Sequence, residues 1–341
     1  MRALVTGATG FVGSHLVEAL AERGATVAVL ARPSSNRGRL GRVRPAPAWI
    51  VGDLHDPSSS RKSVAEFAPD VVFHLAWAGV GRTGRDDRSQ IESNLAGTLA
   101  LFDLAVSVGC RSFVGLGSQA EYGPHDGIID ENTPLNPTSL YGAAKASACL
   151  LLTRLAANAG VRFAWLRLFS AYGPGDHPQA LIPFLIRSLL DGKTPTLSSG
   201  SQPWDYLYVT DAADAIAGAG CSPEATGVYN LASGQFVTIR SVAERLRDMT
   251  DPGASLEFGE ARSPGIQADI SRLGSAIGWK PRIGLEVGLQ CTIESVRGDG
   301  RSLSLQRSRT TRSVEDGVPT QSLGTRSFSD RQMVGTEANL S

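Results

Sequence analysis

The stretch VTGATGFVGSHL, residues 5–16, carries the apolar run RALVT into an amphipathic segment through Gly7, Gly10 and Gly13. Glycines three apart at a strand-to-helix junction let the chain turn tightly and let its backbone approach a pyrophosphate, which then rests on the helix N-terminus. The spacing is G-x-x-G-x-x-G and not the more familiar G-x-G-x-x-G. Because the turn opens the first strand–helix unit of the chain, the pattern predicts a nucleotide-binding βαβ unit there.

Working outward, short β-branched runs (TVAVLA, AWIVGD, DVVFHLA, SFVGLGS, VRFAWLRLF) alternate with helical patterns such as FVGSHLVEALAERG, SQIESNLAGTLALFDLAVSVG and SLYGAAKASACLLLTRLAANAG. Strands that alternate with helices of this length give a parallel sheet covered on both faces. The expected fold class is α/β, a doubly wound Rossmann sheet over residues 1–170, with later strands from about 205–235 returning to it. Residues 171–296 read mainly as a smaller interleaved α/β cap for the substrate. From 297 to 341 the text turns rich in Ser, Arg, Thr and Gly without periodicity. That composition predicts a disordered tail, with an arginine-based binding tail or an artefact of the reading frame as the alternatives.

Composition narrows the function classes. With 341 residues, 42% of them apolar, the chain can bury a full core. Its 33 Lys and Arg balance 33 Asp and Glu, so no global field draws it to nucleic acid or to an anionic membrane. Cys110, Cys149, Cys221 and Cys291 form no C-x-x-C pair, which suits inert thiols in a reducing compartment. No apolar run approaches the roughly 18 residues of a membrane helix, and strand-like sequence from Arg2 leaves no room for a signal peptide, so a cytoplasmic protein is expected. His15 and His74 lack partners at ligand spacing and read as structural, and no metal is expected. His125 and His177 sit in Pro/Gly loops, and neither is assigned a role.

After the second strand comes ARPSSNR, with no acid before Asp53. Arg32, Ser34, Ser35 and Arg37 offer charge-assisted donors that suit a ribose 2′-phosphate, where an acid would suit a free 2′-hydroxyl. This favours NADP(H), with NAD(H) possible; the bland alternative is that the arginines solvate a loop. Asp53 and Leu54, in VGDLHD, stand where the adenine would lie, although Asp53 could equally cap the next turn.

At the other end, GSQAEYG (117–123) follows an apolar strand, and YGAAK (141–145) opens a helix entered through NPTS. Tyr141 and Lys145, four apart, project from one helix face. Together with TGATGFVG, DVVFHLAWAG, NLAGT and LRLFSAYGPGD, these motifs make residues 1 to about 295 resemble the extended short-chain dehydrogenase/reductase superfamily, the NAD(P)-dependent nucleotide-sugar epimerase, dehydratase and reductase family. The resemblance implies a catalytic set of Ser118, Tyr141 and Lys145 with Asn94 in its supporting network. Tyr141 would exchange a proton with a sugar oxygen, Lys145 would lower the phenol's pKa and bind the nicotinamide ribose, and Ser118 would position the oxygen. Where the family's 4,6-dehydratases carry an acid just after the serine, this chain has Gln119 and Ala120. That points to an NADPH-dependent reductase of a nucleotide-linked 4-keto-6-deoxy sugar. The alternatives are an NAD-dependent 4-epimerase and, behind it, a dehydratase or a non-catalytic NADP-binding sensor. Two departures touch the substrate end: Ser170 replaces a usual Asn, and Trp204 a usual Arg, leaving Arg262 as the remaining cation for a diphosphate. Gln119, Ser170, Trp204 and Arg262 are, with Ser118, the expected substrate-binding residues. The family also dimerises through two helices, here those with Leu99, Leu101, Phe102, Leu104 and with Leu150, Leu151, Leu155, so a homodimer is expected.

Overall fold

A computed structural model describes residues 1–125, 127–261 and 265–298; Arg262 and nearly all of the 297–341 tail therefore lie outside the described residues. The chain begins with β1 (Arg2–Thr6), α1 (Phe11–Glu22), β2 (Thr26–Ala31), β3 (Ala48–Val51), α2 (Arg61–Phe67) and β4 (Val71–His74). It continues with α3 (Ala96–Ser107), β5 (Ser112–Ser118), β6 (Ile128–Ile129), α4 (Leu140–Ala159) and β7 (Arg162–Leu168). Seven strands lie side by side in the order β11-β7-β5-β4-β1-β2-β3, where β11 is Gly227–Leu231, and every pairing is parallel. The order reverses between β1 and β4, which opens a crevice beyond the carboxyl ends of those strands.

Period-2 alternation sorts the side chains of each strand onto two cores. In β4, Val71 and Phe73 join Leu16, Leu20, Val29 and Ile216 on one face, while Val72 joins Leu4, Phe113, Trp165, Leu101, Phe102 and Leu152 on the other. Each such side chain contributes about 1.5–3 kcal/mol on burial, so the sheet is a rigid platform for whatever stands at its strand ends. Helix α4 is entered through Ser139, whose Oγ accepts from the Gly142 amide at 3.2 Å, and it ends at Gly160 in the left-handed region.

The second half interleaves. After β8 (Ser170–Tyr172), α5 (Leu181–Leu190) and β9 (Thr196–Leu197) comes β10 (Pro203–Tyr208), followed by α6 (Val209–Cys221), which returns to pack on the large sheet beside α1. Of the strands between 205 and 235, only β11 enters the large sheet; β10 pairs with β8 and with β12 (Phe236–Thr238) in a three-stranded sheet. Helices α7 (Ile239–Thr250) and α9 (Leu285–Val296) pack with α5 around Leu185, Ile186, Val242, Leu246, Leu289 and Ile293. The short strands β13 (Glu257–Phe258) and β14 (Gln267–Ala268) and helix α8 (Ser271–Ile277) complete the described chain.

The leucines expected at a dimer interface divide. Leu101, Phe102 and Leu104 are buried in the chain's own core, and Leu99 and Leu155 pack against it. They cover the sheet itself, which the helical pattern alone could not distinguish from a partner surface. Leu150 and Leu151 remain exposed, at 62% and 45%.

Candidate active site

The glycine turn is closed by sterics. Gly7 has φ +71°, and a Cβ placed on it would lie 2.5 Å from the Ala76 amide nitrogen; a Cβ on Gly13 would lie 2.1 Å from Gly7 O. Gly10 caps α1 without a side-chain acceptor, so the first-turn amides stay available to an oxyanion. A cradle that any side chain would fill is what a backbone-bound pyrophosphate requires, and the residues present fit a dinucleotide.

The cleft continues outward from this turn over a limb of about 330 Å³ lined by Arg32, Ser35, Asp53, Leu54 and Asn94. Of the four residues expected at the 2′-phosphate, two fall outside it. Arg37 lies over the Trp49 ring at 4.4 Å, a cation–π contact that holds it against β3, and Ser34 is exposed outside the limb lining. Asp53 accepts from the His55 amide at 3.1 Å while lining the limb, so it does cap its own turn. Asn94 lies on a π-helical turn, Gln90–Leu95, leading into α3. Its side chain exchanges two 2.9 Å hydrogen bonds with Ala78, locking the loop after β4. Beneath it His74 is fully buried between the hydroxyls of Thr6 and Thr98, each at 2.8 Å. Burial, with the nearby Lys145 charge as the lesser cause, lowers its pKa to about 3.

Inward, the same cleft opens into a second limb of about 560 Å³ that shares Gly7, Gly10, Leu75 and Trp77 with the first. Ser118 ends β5, and Tyr141 and Lys145 stand on the first turns of α4; the three are 8%, 5% and 4% exposed. Burial raises the Tyr141 pKa, opposed by a hydrogen bond with the Ser118 side chain and by the Arg85 charge. The Arg85 guanidinium lies 5.3 Å from the centre of the phenol ring and also donates to Val80 O at 3.1 Å. The sequence assigned the acidifying charge to Lys145. In the structure the lysine ammonium donates to Leu116 O at 2.6 Å and lies 3.7 Å from the centre of the Trp77 ring, and Arg85 is a further cation at the phenol, acting with the Ser118 hydrogen bond against the rise that burial causes. Nothing in GRTGRDD distinguished this arginine from a solvated loop charge.

Ser118 is held by Glu121, a residue of the GSQAEYG string to which spacing alone gave no role. Glu121, fully buried, accepts from the Ser118 amide at 2.8 Å, from Trp165 Nε1 at 3.0 Å and from Arg167 Nε at 2.8 Å. Its carboxylate is committed to this network and holds the serine turn. Gln119 and Ala120, between them, are partly buried; Gln119 lines the cleft with its Oε1 unpartnered.

On the far wall Ser170, Trp204 and Tyr206 line the cleft. Trp204 Nε1 donates to Ser170 Oγ at 2.6 Å, so the two departures from the family pattern satisfy each other. Asp176 also lines this limb, and burial raises its pKa to about 6. Among the described residues no group of three or more His, Cys, Asp and Glu could hold a metal ion, and no helix is long and apolar enough to cross a membrane.

Comparison with known proteins agrees with this geometry. The model of the NAD dependent epimerase/dehydratase family matches residues 3–232. A dTDP-glucose 4,6-dehydratase of Streptomyces antibioticus is 30% identical, over 87% of this chain and 92% of its own length. A UDP-glucose 4-epimerase of Mycolicibacterium smegmatis is 29% identical, over 87% and 99%. The crystal structure of a Thermus thermophilus UDP-glucose 4-epimerase in complex with NAD superposes with a TM-score of 0.77 at 29% identity, over 87% of this chain and 99% of that one.

Proposed function

The chain belongs to the NAD dependent epimerase/dehydratase family, and from that premise we propose that it reduces a nucleotide-linked 4-keto-6-deoxy sugar at carbon 4 with NADPH. The observation that carries the choice is the turn after β5: Gln119 and Ala120 supply no carboxyl group, and the Glu121 carboxylate is committed to Arg167 and Trp165. A site built this way has no acid beside Ser118 with which to expel water.

The glycine turn and the first turn of α1 bind the diphosphate, Arg32 and Ser35 favour a 2′-phosphate, and Lys145 binds the nicotinamide ribose. When bound, the cofactor supplies the hydride. Tyr141 gives its phenolic proton to the carbonyl oxygen as carbon 4 accepts that hydride, so a C–H and an O–H bond form and the C=O π bond is lost. Ser118 hydrogen-bonds the same oxygen, and Arg85 stabilises the phenolate left behind. Gln119, Ser170 and Trp204 contact the sugar nucleotide.

The second reading is a 4-epimerase using NAD, favoured by the epimerases among the chain's relatives and by the NAD in the similar crystal structure. Mass spectrometry of co-purifying nucleotide, followed by turnover assays with NADPH plus a dTDP-4-keto-6-deoxy sugar and with UDP-glucose plus NAD, separates the two. Oxidation of NADPH in the first assay, lowered by about two to four orders of magnitude in Tyr141→Phe, is the expected result. Retained NAD with interconversion of UDP-glucose and UDP-galactose establishes the epimerase instead.

A further inference from the structure

We propose that Trp77 is a positioning residue for Lys145, its indole face keeping the buried ammonium charged and in place on the wall of the inner limb. Three contacts converge on this ring. Lys145 Nζ stands 3.7 Å from its centroid, and the Tyr141 ring meets it edge-on at 6.3 Å and 85°. On its outer side Trp77 Nε1 donates to Gln90 Oε1 at 2.7 Å. Gln90 is itself fully buried and donates to Gly79 O at 3.0 Å and Gly84 O at 2.7 Å, so the indole is held in one orientation. Trp77 is also one of the few residues lining both limbs of the cleft, the place where cofactor and reacting carbon must meet.

An ammonium 4% exposed needs compensation for its lost water. The hydrogen bond to Leu116 O is one source. The groups around it are Tyr141 one turn earlier on α4, Glu121 on the turn after β5, Arg167 on β7, His74 on β4 and Arg85 beyond the phenol. Glu121 acts on the lysine through space in its favour, and His74 stays neutral. The carboxylate is already paired to Arg167 at 2.8 Å, and of the two indoles facing the ammonium Trp165 stands off at 5.7 Å while Trp77, at 3.7 Å, joins Leu116 O as compensation in direct contact. Burial brings Lys145 down to about 7, so a contribution of this kind decides whether the ammonium is charged under ordinary conditions.

This inference rests on the family reading that a dinucleotide occupies the cleft, and on nothing about the sugar. It is tested by measuring the dissociation constants of NADPH and NADH from pH 6 to 9, with no substrate present, for the wild type, Trp77→Phe and Trp77→Leu. In the wild type, binding should weaken as pH rises through the lysine's pKa. In Trp77→Leu the midpoint should fall by about one pH unit, the size of a desolvated cation–π contact. Binding would then be about three- to tenfold weaker near pH 7.5 and within about twofold of wild type at pH 6. Trp77→Phe keeps a ring face while losing the Gln90 bond, and its midpoint should stay near the wild-type value. A constant loss at every pH in Trp77→Leu, or an equal midpoint shift in Trp77→Phe, overturns the proposal and leaves Trp77 a packing residue. Should Trp77→Leu fail to fold, Trp77→Met carries the same two outcomes. A wrong reductase reading leaves these binding curves unchanged; absence of any dinucleotide binding would instead remove the family premise itself.

Discussion

Acidification from pH 7 to pH 5 should cost the fold roughly 2 kcal/mol through His74 alone, by the linkage between proton uptake and unfolding. The imidazole is fully buried and saturated: Thr98 Oγ1 donates to Asn94 O at 2.7 Å, so it must accept from His74 Nε2, and Nδ1 is left to accept from Thr6. A second ring proton would have no acceptor unless the Thr6 hydroxyl reversed. With the pKa depressed from 6.5 to about 3, the unfolded chain takes up a proton on this residue below pH 6.5 and the folded chain does not. The stability it confers is complete above pH 6.5 and is lost as pH falls toward 3. At pH 5 the loss is about 1.5 pH units times about 1.36 kcal/mol, or roughly 2 kcal/mol. Among the described residues three carboxyl groups act in the opposite sense, including Asp211, which burial also raises. Burial raises Asp176 and Asp205 to about 6, so their folded forms hold protons more tightly than the unfolded chain, and acidification from 7 to 5 returns some stability. The histidine is therefore isolated by difference. Urea unfolding of the wild type and of His74→Asn at both pH values should show the variant less stable at pH 7 yet losing roughly 2 kcal/mol less on acidification. Equal losses in the two proteins would mean that His74 takes up its proton in the folded state, and the reasoning from its hydrogen bonds would fail.

Two further outcomes test the cofactor and assembly readings. If Arg32 receives a 2′-phosphate, the wild type should bind NADPH at least about tenfold tighter than NADH, and Arg32→Ala should remove most of that preference, a charge-assisted contact being worth about 1.5–3 kcal/mol; equal wild-type affinities in a cofactor titration would leave Arg32 a solvated loop charge. The exposed Leu150 and Leu151 on α4 are proposed to meet a second copy of the chain, so light scattering at micromolar concentration should give twice the monomer mass, falling to the monomer in Leu150→Glu/Leu151→Glu; a monomeric wild type rejects the homodimer.

What could be read in the sequence is what local spacing encodes. The sheet follows from strands and helices that alternate along the chain, and the glycine turn from three residues within seven. Tyr141 and Lys145 are on one helical face because they are four apart. Spacing along a helix says which side chains are neighbours and not where each one ends. Lys145 reaches Leu116 O, 29 residues away, and a further cation, Arg85, stands 5.3 Å from the centre of the phenol ring. Glu121 read as part of a family string and is the anchor of Ser118, a role that needs Trp165 and Arg167, 44 and 46 residues later. Arg37, read as a phosphate ligand from its place in ARPSSNR, is claimed by Trp49 on the neighbouring strand.

Ser170 and Trp204 carry this furthest. Far apart in the chain, they read as two independent departures, each weakening the substrate wall. Parallel pairing of β8 with β10 sets Tyr206 opposite Ser170 and brings Trp204, two residues earlier on β10, within reach of the serine. The indole N–H then finds its acceptor in Ser170 Oγ at 2.6 Å. A half-buried indole donor gains by having an acceptor on the wall itself, and a hydroxyl short enough to leave room for the ring while still accepting from it meets both demands. Ser170 and Trp204 therefore form one piece of wall, an aromatic ring fixed by a hydroxyl. It is a unit that becomes visible once the strands that carry the two residues are paired.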